Sequence, residues 1–251
     1  MDLILSFHIK GLSFGDSEIK FSSLDLLRKE FSQTIKDDII LPFNYMKRHE
    51  ISSQRIKSII DDFSSLRVCV IGDLIVDEYI TCEPLGMSQE DPTIVVTPVD
   101  TTRFIGGAGI VAAHAVGLGA KVEFITVVGN DSSHTFAENK LSEFGVTTSL
   151  IVDDSRPTTV KQRFRSKGKT LLRVSHLHQS TISPSLQSIF LKNIKSIIDK
   201  VDLLVFSDFN YGCLPQDLVD QIVTLAKENN VMLAADSQSS SQIGDLSLIH
   251  I

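Results

Sequence analysis

Four apolar runs in this chain finish on an aspartate: "VCVIGD" at Asp73, "ITVVGND" at Asp131, "LLVFSD" at Asp208 and "MLAAD" at Asp236. If the runs are parallel strands, these carboxylates stand at the carboxyl ends, where open sheets bind ligands. Carboxylates gathered there can accept bonds from sugar hydroxyls or hold magnesium through water. Any one of them can equally be a helix N-cap after a strand. Four together, with Asp77 following in "GDLIVDEY", favour a polyol or phosphate site. A second chemical signal is "FIGGAGIVAAHAVGLG", with Gly106, Gly107 and Gly109 at the mouth of an alanine-rich segment. Glycines there let a ligand approach backbone N–H groups at a helix start, where partial positive charge collects. Tight helix–strand packing would ask for the same residues. The third signal is cationic. Lys161 and Arg163 lie two apart and share a face if extended, with Arg173 on the next run. Such a set suits phosphate oxygens, although it is also what a solvated hairpin face looks like. His176 and His178 also share a face and read as ordinary hairpin residues, not as metal ligands.

Several chemistries are excluded. No GxxxxGK[ST] occurs, and Gly107-x-Gly109 lacks the third glycine of a dinucleotide fingerprint. A net charge of -7 with no long Lys/Arg block argues against nucleic acid as a partner. Three scattered cysteines form no CxxC pair, which fits a reducing, cytoplasmic setting. The start "MDLILSFHIKG" does not read as a signal peptide, and no apolar run is long enough to span a membrane.

The elements that must position these residues follow from periodicity. Residues 67–73 read as a buried parallel strand, and 93–105 as an edge or lid strand because it contains Pro98. A helix is expected over 108–118, a strand over 121–129, and a helix over 134–145 ending at Gly145. "TTSLIVDD" and 158–178 read as strands, the latter a hairpin turning at Lys167-Gly168-Lys169. A long helix over 184–200, a strand over 201–209, a helix over 215–229 and a strand over 231–236 complete the pattern. This alternation indicates an α/β fold, a mostly parallel sheet covered on both faces. Residues 1–66 differ, with capped helices over 21–35 and 52–63 and a break at Pro42 and 44–54. They read as a linker or as the tail of another domain, and 67–251 as the α/β domain.

In this order, "VIGDLIVDEY", "GGAGIVAAHAVGLGAKVEFITVVGND", "RPTTVKQRFRSKGKTLLRV", "LLVFSDFNYGCL" and "AADSQ" resemble the ribokinase-like (PfkB) carbohydrate kinases. The nearest branch is the heptose-7-phosphate kinases of the bifunctional kinase/nucleotidyltransferase type. The resemblance implies a ribokinase-like fold with a small β lid over about 79–104 and 158–174. It implies sugar contacts from Asp73, Asp77, Gly106 and Gly107, and a place for Asp208 near the phosphate path. ATP and Mg2+ are the implied cofactors, a sugar or sugar phosphate the implied substrate, and Asp236 is a candidate on the nucleotide side. Lid strands with open edges suggest a homodimer.

The chain also departs from that family. Relatives read Gly-Gly-Ala-x-Asn, and the Asn position is Ile110, which offers a hydroxyl neither donor nor acceptor. Where heptose-phosphate kinases carry Asp-Pro-Lys, this chain has "DSQSSSQIGD". The family's Gly-Ala-Gly-Asp segment, with its catalytic base, is expected beyond residue 251, so no catalytic residue is assigned. The expectation is therefore a fragment, inactive alone, of an ATP-dependent sugar kinase. "GDSEIKFSSLDLLRKEF" resembles the end of a cytidylyltransferase-like domain, against a plain linker helix. The rival reading is a non-catalytic sugar-binding or regulatory protein on the same fold.

Overall fold

Valines and isoleucines that alternate between two apolar faces build the centre of the molecule. In the computed structural model, which describes residues 42–237, β1 (Arg67–Gly72) is buried along almost its whole length. Val68 and Val70 enter one core cluster, while Cys69 and Ile71 enter the other. Both faces of this strand are therefore covered, as its continuous apolar run predicts.

A 13-residue strand, β3 (Ile94–Gly106), pairs antiparallel with the 14-residue β2 (Leu74–Met87). Then come α3 (Gly107–Gly117), β4 (Lys121–Val128), α4 (Ser132–Glu143) and β5 (Thr147–Val152). The hairpin β6 (Val160–Ser166) and β7 (Lys169–His176) turns through Lys167 and Gly168, at φ 47° and 80°. Two successive residues at positive φ suit the twist of a two-residue hairpin. The chain continues through α5 (Pro184–Lys195), β8 (Leu203–Asp208), α6 (Gln216–Glu228) and β9 (Met232–Ser237). Two short helices precede β1, namely α1 (Phe43–Arg48) and α2 (Ser53–Asp62).

The strands form two sheets. The larger has the order β5-β4-β1-β8-β9 and every pairing in it is parallel. Helices α3 and α4 cover one face through Ala108, Ala112, Ala137 and Leu141. Helices α5 and α6 cover the other through Phe190, Ile194, Leu218 and Ile222. The smaller sheet has the order β3-β2-β6-β7 and rises from the larger one where β1 runs into β2. Its Val76, Ile105 and Val160 join the core, whereas Leu85, Met87, Val99 and Leu172 are exposed farther out.

Most expected elements are present, with local differences. Pro98 does lie on an edge strand, since β3 ends the smaller sheet. The break expected over 44–54 is helical at its start, since α1 runs from Phe43 to Arg48. The helix expected over 184–200 stops at Lys195, and a separate 3-10 turn at Ile198–Lys200 still keeps Ile198 in the core. Strand β7 ends at His176, so His178 lies past the hairpin. The helix expected over 21–35 falls outside the described residues. Among the described residues, no helix is long and apolar enough to cross a membrane.

Candidate sugar and phosphate site

The order of the larger sheet reverses direction at β1, with β4 and β5 to one side and β8 and β9 to the other. In open parallel sheets the crevice at such a reversal is where ligands bind. Asp73 and Asp208 stand there, just after β1 and at the end of β8, and both are buried.

Asp73 is held by the segment that follows β8. Its Oδ2 accepts the N–H groups of Phe209 at 2.8 Å and Tyr211 at 3.3 Å, and its Oδ1 accepts that of Cys213 at 3.3 Å. Its carbonyl accepts the N–H of Ala108 at 2.9 Å, joining it to the first turn of α3. On either side of Asp73, the Thr126 hydroxyl donates to the Gly72 carbonyl at 2.7 Å and accepts from the Leu74 N–H at 3.3 Å. Burial pushes the Asp73 carboxyl up to about 6; the charge of Asp208 adds to the rise, and the backbone N–H bonds oppose it. Asp208 is raised too, chiefly by burial, although it accepts the Asn210 N–H at 3.2 Å and the Ser237 hydroxyl at 3.0 Å. The hydroxyl of Ser207, next to it, is buried with no hydrogen-bond partner.

The glycines are explained by close approach. Gly107 has φ 56°, and a side chain there would run into the Asp73 carbonyl and Ile75. At Gly106 a side chain would meet the Asp77 carboxylate, and at Gly109 it would meet Ile105 and Leu74. Packing thus accounts for all three, and it also brings the mouth of α3 against both aspartates. Ile110 packs against the core cluster beneath α3.

One face of the smaller sheet carries the charged set. Strand pairing places Asp77 beside Phe104 and Lys161, Tyr79 beside Arg163, and Arg163 beside Arg173. Arg163 forms an ion pair with Asp77 and stacks over the Tyr79 ring, 5.1 Å from its centroid. The Lys161 amino group lies 5.1 Å from the ring centroid of Tyr211 and 5.5 Å from that of Phe209. Lys161 therefore joins the smaller sheet to the segment that Asp73 holds. Arg163 and Arg173 are directly opposed like charges, an arrangement that an anion relieves. The other face holds a different network: Arg103 pairs with Glu78 at 2.5 Å, Gln162 donates to Glu78 at 2.8 Å, and His176 meets Gln162 at 3.1 Å.

Two of the four strand-end aspartates stand apart. Asp131 is the N-cap of α4, accepting the N–H groups of Ser133 and His134 at 3.0 and 2.9 Å and that of Thr158 at 2.8 Å. Burial alone would raise its carboxyl, but these bonds outweigh burial and hold it below the usual range. Asp236 is exposed next to the end of β9, which is the outermost strand on that side among the described residues. Among the described residues, no cluster of three or more His, Cys, Asp or Glu could hold a metal. Burial pushes the Cys69 thiol up to about 12 and raises that of Cys213 as well, so neither is a nucleophile.

Sequence reasoning missed Thr126, the aromatic pair Phe209 and Tyr211, and Arg156. The last pairs with Asp153 at 2.7 Å and lines a cavity of about 10 Å³ together with Asp73, His178, Tyr211 and Cys213. No periodic pattern marks these residues, because their roles arise only from contacts between distant segments.

Comparison with known proteins bears on the family and the fold. The family model described as pfkB family carbohydrate kinase matches residues 65–250. The chain is 34% identical over 175 residues to the "Bifunctional protein HldE" of Desulfatibacillum aliphaticivorans, covering 69% of this chain and 36% of that protein. It is 33% identical over 175 residues to the protein of the same name from Helicobacter hepaticus, covering 68% and 36%. The chain thus spans little more than a third of the length of these curated relatives. Among solved structures, phosphofructokinase-2 from Escherichia coli in complex with fructose-6-phosphate superposes with a TM-score of 0.55 at 13% identity, covering 70% of this chain and 56% of that one. A carbohydrate kinase from Agrobacterium tumefaciens gives 0.52 at 17%, covering 68% and 53%. At these identities the structures speak for the fold alone.

Proposed function

Because the chain belongs to the pfkB family of carbohydrate kinases, we propose that it carries the sugar-binding part of an enzyme that phosphorylates a sugar or sugar phosphate with ATP. A heptose 7-phosphate is the substrate favoured by the resemblance to the heptose-phosphate branch. The observation that carries this reading is the cationic face of the smaller sheet, where Lys161, Arg163 and Arg173 accompany Asp77 beside the β1/β8 crevice.

Each residue has a chemical part in this reading. Asp77 accepts hydrogen bonds from sugar hydroxyls at the mouth of α3, against Gly106 and Gly107. Lys161 and Arg163, with Arg173, hold the phosphate already on the sugar, as cationic donors suit its oxygens. Asp73 fixes the segment after β8, and Asp208 lies beside it on the path toward the transferred group. ATP supplies the phosphoryl group. Its site is assigned to the side of β9 that carries Asp236, and magnesium would be held by nucleotide phosphates and water, since the described residues form no metal cage.

Three further expectations belong to the same proposal. Residues 1–66 form a linker or the tail of a cytidylyltransferase-like domain, preceding a kinase domain from 67. The open edge of β3 and the exposed Met87, Ile94 and Val99 suit a homodimer through the smaller sheet. The three free cysteines fit a reducing, cytoplasmic setting.

The test is a thermal-shift series on residues 1–251 with heptose 7-phosphate, fructose 6-phosphate, ribose 5-phosphate and the unphosphorylated sugars. A sugar phosphate at a hundred times its Kd should raise Tm by roughly 5–10 °C. The same sugar without phosphate should do less, and Lys161→Met with Arg163→Met should abolish the difference. Equal shifts with and without phosphate would remove the phosphate subsite. A second reading, a non-catalytic sugar binder, is favoured by Ile110, which leaves an apolar surface where the family has an amide. Turnover of ATP and sugar by a longer chain carrying a Gly-Ala-Gly-Asp segment would decide against it.

A further inference from the structure

Arg156 has no part in the reading above, yet it joins three separate segments around the site, one through a carboxylate and two through backbone carbonyls. Its Nε donates to Asp153 Oδ2 at 2.7 Å, its Nη1 to the Tyr211 carbonyl at 3.2 Å and its Nη2 to the Ser180 carbonyl at 2.9 Å. Both side chains of the Arg156–Asp153 pair are about 8% exposed. Asp153 is itself held by the N–H of Ser155 at 3.0 Å and its hydroxyl at 2.6 Å. Burial pulls the Asp153 carboxyl up, but the Ser155 and Arg156 bonds prevail and keep it ionised. The guanidinium is therefore fixed at the carboxyl end of β5 and spans two carbonyls with the remaining nitrogens, a geometry that a lysine cannot copy.

What it spans is the segment after β8. That segment is held from one side by Asp73, which accepts its N–H groups at residues 209, 211 and 213. It is unusually shaped, with Asn210 and Gly212 at φ 62° and 82°. A side chain at Gly212 would run into the Ser180 carbonyl, the same carbonyl that Arg156 binds, and the Ile182 N–H donates to the Gly212 carbonyl at 3.0 Å. Asp73 therefore takes the donors of this segment and Arg156 takes a carbonyl acceptor. Two opposite charges hold it from two sides. Its rings, Phe209 and Tyr211, are the ones that meet the Lys161 amino group.

We propose that Arg156 is a positioning residue. By holding the Tyr211 and Ser180 carbonyls it sets the Phe209/Tyr211 rings against Lys161, and so fixes where the cationic face of the smaller sheet stands over the crevice. The assignment of Lys161 to a sugar phosphate rests on the reading above, but the contact itself does not, and the test reads the contact.

The chain contains no tryptophan, so Phe209→Trp installs a single fluorescent reporter in the segment without touching its backbone bonds. In this background, Lys161→Met should shift the emission, because it removes the cation from beside the ring. Adding Arg156→Lys keeps a charge beside Asp153 but cannot span both carbonyls. Acrylamide quenching of the reporter should then rise at least twofold, and the Lys161→Met shift should vanish. Asp153→Asn leaves the two carbonyl bonds possible but loosens the anchor, and should fall between. An unchanged quenching constant with the Lys161→Met shift intact overturns the proposal. A residue that served stability alone would lower Tm and leave the Lys161 coupling in place, which overturns it too. Loss of cooperative unfolding in both Arg156→Lys and Asp153→Asn would make the pair part of the scaffold, and would equally remove the positioning role. None of these outcomes depends on which sugar binds, so a failed sugar screen and a failed Arg156 test are distinguishable.

Discussion

The two sheets are held together by different physics. In the larger, Cys69, Val70, Ile71, Phe124, Ile125, Leu204 and Phe206 are completely buried, and helices close both faces. In the smaller, Val76, Ile80, Cys82, Ile105 and Val160 are buried, but β3 is exposed along nearly its whole length. Beyond that apolar base, cohesion comes from backbone pairing with two charged networks, one on each face. A sheet closed by apolar burial resists movement because every shift opens a void. A sheet held by partly exposed ion pairs can exchange its partners for those of a ligand at little cost. The larger sheet is the platform and the smaller one is the part suited to respond.

The sharpest way to break this contrast is a pair of truncations. Phe206→Ala removes a completely buried ring from the larger sheet and should cost about 3–5 kcal/mol in urea unfolding. Leu172→Ala, at 56% exposure on the smaller sheet, should stay within about 0.5 kcal/mol. Similar costs for the two would mean that the outer part of the smaller sheet, around Leu172, is covered by apolar packing as well.

Where the sheets meet, Asp73 gives a pH-dependent version of the comparison. Its carboxyl rises to about 6 in the folded protein, chiefly through burial. The folded state thus keeps a proton that the unfolded chain gives up near its ordinary value of about 3.9. The corresponding stability is complete below about pH 4 and is lost as pH climbs through about 6. Asp73→Asn has no such titration. The stability of the wild type minus that of Asp73→Asn should therefore fall by on the order of 2 kcal/mol between pH 4 and pH 7. A difference independent of pH would show that the N–H groups of the 209–213 segment keep Asp73 ionised throughout.

What could be read from the sequence divides along the same line. Continuous or alternating apolar runs reveal the platform, because burial leaves a periodic trace, and α3 and β1 lie within a residue of their expected limits. The capping part of Asp131 is legible because Ser133 and His134 are local, while its bond from Thr158, 27 residues on, is not. Asp73 was singled out by its place at a strand end, but its partners lie 136–140 residues away and no spacing announces them. Arg156 is invisible for the same reason: two of its three acceptors are the backbone carbonyls of Tyr211 and Ser180, and a carbonyl carries no residue identity. The face shared by Lys161 and Arg163 was legible from their two-residue spacing. That Arg163 is already engaged by Asp77 was not, since it depends on the parallel register of β2 and β6.

Within the smaller sheet, the two ion pairs should separate stability from binding. Glu78 is 5% exposed, so Arg103→Met leaves a buried carboxylate with only Gln162 and should cost about 1–3 kcal/mol. Asp77 and Arg163 are each more than a fifth exposed, and Arg163→Met should cost less than about 1 kcal/mol. The order should reverse for ligand: Arg163→Met should weaken sugar-phosphate binding roughly tenfold, the value of one charge-assisted bond, and Arg103→Met only slightly. Calorimetric titration beside urea unfolding checks both. Equal effects of the two variants on binding would show that the charged faces are not functionally distinct.

The smallest expected effect bears on the boundary itself. Ile110 lies one turn inside α3 and packs on the apolar cluster beneath it, at the position where the pfkB motif carries an amide. Ile110→Asn should cost about 1 kcal/mol, since it removes a partly buried apolar group and asparagine is also the poorer helix former. If the mouth of α3 faces a sugar, the new amide can donate to or accept from a hydroxyl, and one such bond is worth about 0.5–1.5 kcal/mol. Affinity for a bound sugar phosphate should then rise about two- to tenfold while the apoprotein loses stability. A loss of both would mean that the isoleucine has reshaped the site around an apolar contact, and that this chain's ligand differs from its relatives' at the hydroxyl that asparagine would reach.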